Sequence, residues 1–346
     1  MTIEEFLTEW HNDSPYVSVH TSGSTGEPKP LLVEKRRMEA SARITCKFLR
    51  LKEGDTALLC LPLDYIAGKM MVVRALTCGL RLVSVEPSGH PLAPSHLSQL
   101  GEALAARDDS TLGASPSWGR WEGAFAAMVP LQVWNSLQVP EERERLMNIR
   151  QLIIGGGAID EALAQELRTF PNGVWSTYGM TETLSHIALR RLSGPEATDY
   201  YTPFEGVSLS QDENGCLIID APEVCGQTLH TNDIAELRHD GTFRILGRRD
   251  NVICSGGIKI QAEEAERLLR PHLHAPFCIT KKKDSKLGEA VVLLTEQTDT
   301  EQVRGICQET LPKLWQPRHI ISVERIPLTA TGKIARKEAE KLAATL

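Results

Sequence analysis

Nine residues near the start of the chain, Thr21-Ser22-Gly23-Ser24-Thr25-Gly26-Glu27-Pro28-Lys29, combine four hydroxyls, two glycines and a lysine. Glycines let a backbone approach an anion closely, amides and hydroxyls donate to it, and a lysine adds a point charge, so this composition suits phosphate. The stretch follows the alternating run Tyr16-Val17-Ser18-Val19-His20 and precedes Leu31-Leu32-Val33, which places it on a loop leaving a strand. It is not the common P-loop, because Pro28 and Pro30 bracket the lysine and forbid a helix start there. Read by itself it has a bland alternative, a flexible Ser/Gly linker.

Other chemistry-bearing residues recur at strand ends. Leu152-Ile153-Ile154 runs into Gly155, Gly156 and Gly157, which alone reads as a tight strand-to-helix turn. Val174-Trp175-Ser176-Thr177-Tyr178 leads into Gly179-Met180-Thr181-Glu182, whose carboxylate is an oxygen ligand of the kind Mg²⁺ takes once or twice from protein. Asp233 stands ahead of a hairpin pattern with Asp240-Gly241 as its turn, and Lys333 lies in a Gly/Thr-rich loop before the last helix.

Four stretches in order resemble the adenylate-forming superfamily of acyl-CoA synthetases, peptide-synthetase adenylation domains and luciferases: residues 21–29, Tyr178-Gly179-Met180-Thr181-Glu182-Thr183, Gly247-Arg248-Arg249-Asp250-Asn251 with Ser255-Gly256-Gly257, and Thr331-Gly332-Lys333-Ile334. The resemblance implies a ligase that uses ATP, Mg²⁺ and coenzyme A. It assigns the β- and γ-phosphates to Thr21, Ser22, Gly23, Ser24, Thr25, Gly26 and Lys29, and the adenine to Gly155, Gly156, Gly157, Tyr178 and Gly179. Thr181 is to touch phosphate, Glu182 to hold the metal with Thr25 or Thr181 nearby, and Asp233 to bind the ribose hydroxyls. Arg248 is to contact ribose and phosphate, Asp250 to be the hinge, and Lys333 to neutralise charge during adenylation. Ser255, Gly256 and Gly257 are to line a thiol tunnel. Asn232 departs from the pattern, since many members have glycine there.

The segment from Leu61 to Arg74 is similar to the family's acyl-pocket motif, with Tyr65 replacing the usual histidine. It carries two cations in an otherwise apolar helix. Lys69 falls in the first turn, where the macrodipole disfavours positive charge by about 0.3–1 kcal/mol. An anionic ligand would relieve that cost, whereas snorkelling to solvent is the alternative for each. Lys69 and Arg74 are five apart and do not share a helix face, so at most one points into the pocket. An extra cation suggests a dicarboxylic acid, one carboxylate activated and the other held. Within the superfamily this segment and the short chain look like the o-succinylbenzoate-CoA ligases of menaquinone synthesis. A general or aryl acyl-CoA ligase is the reading if both cations point away. From another class comes a catalytically inactive nucleotide-binding or regulatory protein, which would show no acid-dependent exchange of pyrophosphate into ATP.

The elements that must position these groups alternate. Thr2-Ile3-Glu4-Glu5 has the form of a capping box opening a helix with Phe6, Leu7 and Trp10. A helix is expected over 35–50, strands over 56–61 and 81–85, and a helix over 66–76, which predicts an α/β sheet with ligands at strand carboxyl ends. Residues 86–147 are the least legible, with helices expected around 95–106 and 117–129 and Trp118, Trp121 and Trp134 as core. The fold class expected is α/β: a large, N-terminally shortened adenylation domain of mixed sheets over residues 1–248, then a small mobile α+β cap over 249–346. The cap is to contain a hairpin at 252–260, helices at 262–269 and 299–310, strands at 289–294 and 320–323, and a terminal helix from Ile334.

Composition bounds the rest. A length of 346 residues with 41% hydrophobic content favours two or more domains. A net charge of -7 argues against a nucleic-acid surface, and Lys281-Lys282-Lys283 reads as a solvated turn. No apolar run is long enough for a membrane span, and the acidic start Met1-Thr2-Ile3-Glu4-Glu5 is unlike a signal peptide, so a cytoplasmic location is expected. The eight cysteines show no zinc or redox spacing and are expected reduced and mostly buried. His272 and His274 read as a surface loop rather than a metal pair. The family usually carries a subdomain ahead of the phosphate loop, where this chain has 20 residues. Sheet surface left uncovered would then pair in a homodimer, an expectation that a strict monomer in analytical ultracentrifugation would defeat.

Overall fold

The computed structural model describes residues 1–20, 30–94, 125–157, 159, 161–329 and 334–346. The phosphate-loop residues 21–29, the lysine loop at 330–333, the helix expected at 95–106, and Trp118 and Trp121 lie outside them. The chain forms two compact units: Met1–Ser208 with Asp220–Thr228, and Leu209–Ile219 with Leu229–Leu346.

In the first unit the helix Ile3–His11 begins at the expected capping box, with the Thr2 hydroxyl accepting from the Glu5 amide and the Glu5 carboxylate accepting from the Thr2 amide. Two strands follow, β1 (Tyr16–His20) and β2 (Pro30–Glu34), paired antiparallel from Tyr16 opposite Glu34 to His20 opposite Pro30. Their alternation buries Val17, Val19 and Val33 and leaves Leu32 outward. The residues on either side of the nine-residue stretch, His20 and Pro30, are register partners of these two strands.

The main sheet has seven strands: β3 (Thr56–Leu59), β4 (Arg81–Ser84), β5 (Phe125–Met128), β6 (Gln151–Ile154), β7 (Gly173–Gly179), β8 (His186–Arg191) and β9 (Thr202–Pro203). Their order is β4-β3-β5-β6-β7-β8-β9. The first five run parallel, β8 returns antiparallel to β7, and β9 pairs antiparallel with β8. Helices Lys35–Phe48, Ile66–Cys78, Pro130–Leu137, Pro140–Met147 and Glu161–Arg168 accompany them.

Two expectations are overturned here. Phe125–Met128 is a strand, not the end of a helix, and all four of its residues are buried. A short apolar run between two parallel neighbours loses its alternation, so periodicity cannot tell it from a buried helix. Trp134 is 40% exposed rather than core, because its short helix turns Val133 and Leu137 inward instead.

The second unit opens with β10 (Ser208–Gln211), β11 (Cys216–Asp220), β12 (Leu229–Leu237) and β13 (Phe243–Arg248), in that order across one sheet. Asp240 makes the expected turn between β12 and β13, accepting from the Thr242 amide at 2.9 Å. Then come the hairpin β14 (Val252–Ser255) and β15 (Ile258–Gln261), β16 (Phe277–Asp284), β17 (Gly288–Thr295) and β18 (His319–Ser322). Their order is β15-β14-β17-β16, with β18 parallel beside β17.

Period-two alternation gives this sheet two apolar faces. Ile279, Val291 and Leu293 meet the helices Ala262–Leu269 and Thr300–Thr310, whereas Cys278, Val292 and Leu294 meet Ala339 and Ala343 of the helix Arg336–Thr345. Lys281-Lys282-Lys283 is not a turn. It continues β16 opposite Val291, Ala290 and Glu289, and Lys281 pairs with Glu289 at 2.8 Å. The turn lies beyond it, where Asp284 accepts from the Lys286 and Leu287 amides.

An ion pair between the half-buried Arg336 and the buried Glu266 fixes the terminal helix. Arg336 grips Glu266 through two bonds of 2.6 and 2.7 Å, and Glu266 also accepts from the Ile279 amide. Burial works against the Arg336 charge, yet the Glu266 carboxylate outweighs this and holds the guanidinium pKa above its ordinary value. Glu266→Ala strands that cation, and the expected loss in urea unfolding of the second unit is about 3–5 kcal/mol. A change below about 1 kcal/mol, the scale of an exposed pair, would remove the pair from the unit's stability.

Candidate active site

The parallel strands β6 and β7 are neighbours in register, Ile154 opposite Ser176, so the segments that follow them leave the same sheet edge side by side. One carries Gly155 and the other Tyr178 to Glu182. A Cβ on Gly155 would stand 2.4 Å from the Thr177 hydroxyl, so only glycine fits where the two segments meet.

Tyr178 is half-buried, with its ring centroid 5.8 Å from that of Tyr201. Thr181 is buried and opens a short 3-10 turn that Thr183 ties to Met180. The turn ends at Leu184, a non-glycine residue with φ of 64°. Such strain persists only where surroundings enforce it, and it tends to accompany functional turns. Glu182 points to solvent and makes no hydrogen bond or ion pair among the described residues. An exposed carboxylate with both oxygens uncommitted fits the donor preference of Mg²⁺, which takes few protein ligands.

At the β3 end, Leu61 and Pro62 turn the chain into the helix Ile66–Cys78. A Cβ on Gly68 would fall 2.3 Å from the Pro62 carbonyl oxygen, which explains the glycine in the acyl motif. Tyr65 precedes the helix and is 49% exposed.

Neither cation snorkels: Lys69 is 2% and Arg74 1% exposed. Lys69 is engaged by the chain itself, donating to the Ser18 carbonyl at 2.6 Å and pairing with Glu9 at 3.7 Å. Burial pulls its pKa down and Glu9 partly restores it. Arg74 has no such carboxylate among the described residues. It donates to the Ser185 hydroxyl at 2.8 Å and approaches the Met71 sulfur at 3.8 Å, and its Nε has no partner among the described residues. Burial lowers its pKa to about 10, so the guanidinium stays charged at neutral pH.

His186 lies next to this cation, and sequence reading missed it. Burial, and then the Arg74 charge, hold its pKa well below the ordinary value. The folded chain thus keeps His186 neutral while the unfolded chain takes up a proton below about pH 6.5. The unfolded state then binds more protons, so this contribution is full above that pH and falls by about 1.4 kcal/mol per unit beneath it. Urea unfolding at pH 7.5, 6.5 and 5.5 should show this slope and lose it in His186→Asn; equal slopes would refute the burial argument.

In the second unit, Asp233 and Arg248 are cross-strand partners of β12 and β13 with Arg248 Nη1 4.0 Å from the Asp233 carboxylate. Arg248 Nη2 reaches Asp250 at 3.3 Å. Asn232, the departure from the family pattern, has a role here: it donates to Asp250 at 3.3 Å and accepts from Arg249 at 2.6 Å. Arg248, Asp250, Asn232 and Arg249 are thus one hydrogen-bonded cluster, with the Asp233 carboxylate at its edge, 4.0 Å from Arg248. Ser255, Gly256 and Gly257 form the turn joining β14 and β15, held by the Gly256 amide donating to the Leu287 carbonyl at 2.9 Å. On either side of the Lys333 stretch, which lies outside the described residues, Leu328 and Ile334 form an isolated antiparallel bridge.

Comparison with known proteins adds a family. The AMP-binding enzyme family matches residues 4–217. The chain belongs to that family. Similar to it is a 2-succinylbenzoate--CoA ligase of Bacillus thuringiensis, 24% identical over 94% of this chain and 69% of that protein. A solved acyl-CoA synthetase (AMP-forming)/AMP-acid ligase II-like protein of Dyadobacter fermentans is 33% identical with a TM-score of 0.61, over 97% of this chain and 91% of that one. The O-succinylbenzoate coenzyme A synthetase (MenE) of Bacillus subtilis, solved with ATP and magnesium, shares the fold at a TM-score of 0.71 and 22% identity. The α/β class expected from sequence holds, and the chain is an AMP-forming acid-CoA ligase of the AMP-binding family.

Among the described residues no helix is long and apolar enough to cross a membrane, and no group of three or more His, Cys, Asp or Glu could hold a metal. His272 and His274 are exposed. Six of the eight cysteines are buried, with Cys78 intermediate and Cys254 exposed, and none is in a disulfide.

Proposed function

We propose that the chain converts o-succinylbenzoate to its coenzyme A thioester through an acyl-adenylate. The observation that carries this is Arg74, a fully buried guanidinium facing no carboxylate among the described residues and leaving Nε unpaired. A buried cation is costly unless paired, and a second carboxylate on the substrate is the group that offsets the cost. Lys69 already has protein partners, so the carboxylate falls to Arg74, with Tyr65 at the start of the same helix. The 2-succinylbenzoate--CoA ligases among the relatives support the same acid.

The chemistry follows from leaving groups. A carboxylate oxygen attacks the α-phosphate of ATP, pyrophosphate departs, and the acyl carbon becomes bonded to AMP, a leaving group that oxide is not. A thiol then attacks that carbon and AMP is expelled. The first step brings two anions together, so fixed donors and cations lower its barrier. Residues 21–29 hold the β- and γ-phosphates, Thr181 touches phosphate, and Gly155 to Gly157 with Tyr178 and Gly179 border the adenine. Asp233 accepts from the ribose hydroxyls, Arg248 binds ribose and phosphate, and Lys333 neutralises charge at the reacting centre. Glu182, with Thr25, would hold Mg²⁺, which supplies charge neutralisation for the phosphates when bound. Asp250 serves as hinge of a mobile cap spanning 249–346 after an adenylation domain spanning 1–248. The turn at Ser255 to Gly257 lines the thiol path.

A screen of carboxylic acids with ATP and CoA, reading AMP release, tests the assignment. Turnover with o-succinylbenzoate is expected; a protein that ignores it but activates benzoate or a fatty acid refutes it.

A further inference from the structure

Arg74 and three further side chains form one directed hydrogen-bond chain. Arg74 Nη2 lies 2.8 Å from Ser185 Oγ, Ser185 Oγ lies 3.1 Å from His186 Nδ1, and His186 Nε2 lies 3.1 Å from Thr45 Oγ1. Thr45 Oγ1 is 3.0 Å from the Ser41 carbonyl oxygen. Thr45 is fully buried, His186 is 7% exposed, and the His186 ring stands edge-on to Phe204 at 5.5 Å.

Counting protons orders this chain. Arginine only donates, so Ser185 Oγ accepts from Arg74. The one Ser185 proton then goes to His186 Nδ1, which must be bare, and Nε2 carries the imidazole proton. Nε2 donates to Thr45, whose own proton goes to the Ser41 carbonyl. The opposite tautomer aims a second donor at Ser185 Oγ and leaves the Ser185 proton without a protein acceptor among the described residues. A doubly protonated ring would set a second buried cation beside Arg74. Ring-proton positions follow from such networks, and only one assignment here satisfies every member.

We propose that His186, fixed as the Nε2–H tautomer between Thr45 and Ser185, is a positioning residue that turns the Ser185 lone pair onto Arg74 and so orients the guanidinium toward the second carboxylate of a dicarboxylic substrate. This rests on the reading of Arg74 given above. His186 touches no substrate in this role; it decides which way the serine hydroxyl points. Without it the Ser185 proton rotates freely and Arg74 loses its fixed acceptor.

The test pairs His186→Leu, which removes the acceptor, with His186→Asn, whose Oδ1 can take the Ser185 proton. With o-succinylbenzoate as probe, His186→Leu is expected to raise the KM for the acid about tenfold or more, the scale of a lost bond to a charged group. The KM for ATP and the kcat should stay near wild type, and His186→Asn should recover most of the loss. Two-bond ¹H–¹⁵N spectra of histidine-labelled wild-type protein, with His186 assigned by its absence in His186→Asn, should show a protonated Nε2 and a bare Nδ1.

A protonated Nδ1, or a His186→Leu enzyme whose ATP and acid KM values rise together, overturns the positioning role alone. If wild-type enzyme fails to turn over the diacid, the reading of Arg74 falls and the positioning role falls with it.

Discussion

Arg74→Ala lowers kcat/KM for o-succinylbenzoate by about 10²–10³-fold while leaving the KM for ATP near wild type. Removing one member of a desolvated charge pair costs about 2–5 kcal/mol, mostly the cost of leaving the partner charge unpaired. The partner here is the substrate's second carboxylate, so the loss appears in the acid's KM and not in the nucleotide's. Arg74→Lys keeps a charge but gives up the planar fork and its bond to Ser185, and an intermediate loss is expected. Steady-state kinetics with varied acid and ATP check this, alongside thermal unfolding to confirm that the variant is folded. An Arg74→Ala enzyme with undiminished turnover of o-succinylbenzoate would return Arg74 to a packing role.

Lys333→Ala depresses adenylate formation by about 10²–10³-fold, the effect of removing one preorganised charge from a transition state. The second half-reaction, attack of CoA on supplied acyl-adenylate, should keep most of its rate. Single-turnover measurements of each half separate the two. Equal losses would contradict the role given to this lysine. Among the lysines near the terminal helix, such as Lys337 and Lys341, Lys333 is the one that stands in a Gly/Thr-rich stretch of the sequence.

Local chemistry made part of this molecule legible in its sequence. The Thr2 to Glu5 box, the Asp240-Gly241 turn and the helix from Ala262 to Leu269 were written in short-range patterns, and the structure places them there. The family resemblance assigned Asp233 and Arg248 separately to the ribose, and only the strand register shows them side by side. Phe125–Met128 was missed because a central strand is apolar on both faces, and Lys281 to Lys283 because strand pairing outweighed the preference of a charge run for solvent. The partners of Arg74 were invisible for a different reason. The adjacent Ser185 and His186 lie more than a hundred residues from both Arg74 and Thr45, no spacing links them, and a histidine after a catalytic motif reads as an ordinary strand residue.

The most direct measurement is exchange of labelled pyrophosphate into ATP without CoA, with and without o-succinylbenzoate. Rapid exchange that requires this acid and, at an acid concentration below its KM, falls by about 10²–10³-fold in Arg74→Ala is the predicted result, because the adenylate forms before any thiol arrives. Exchange that is absent, or equally fast with benzoate, would contradict the account.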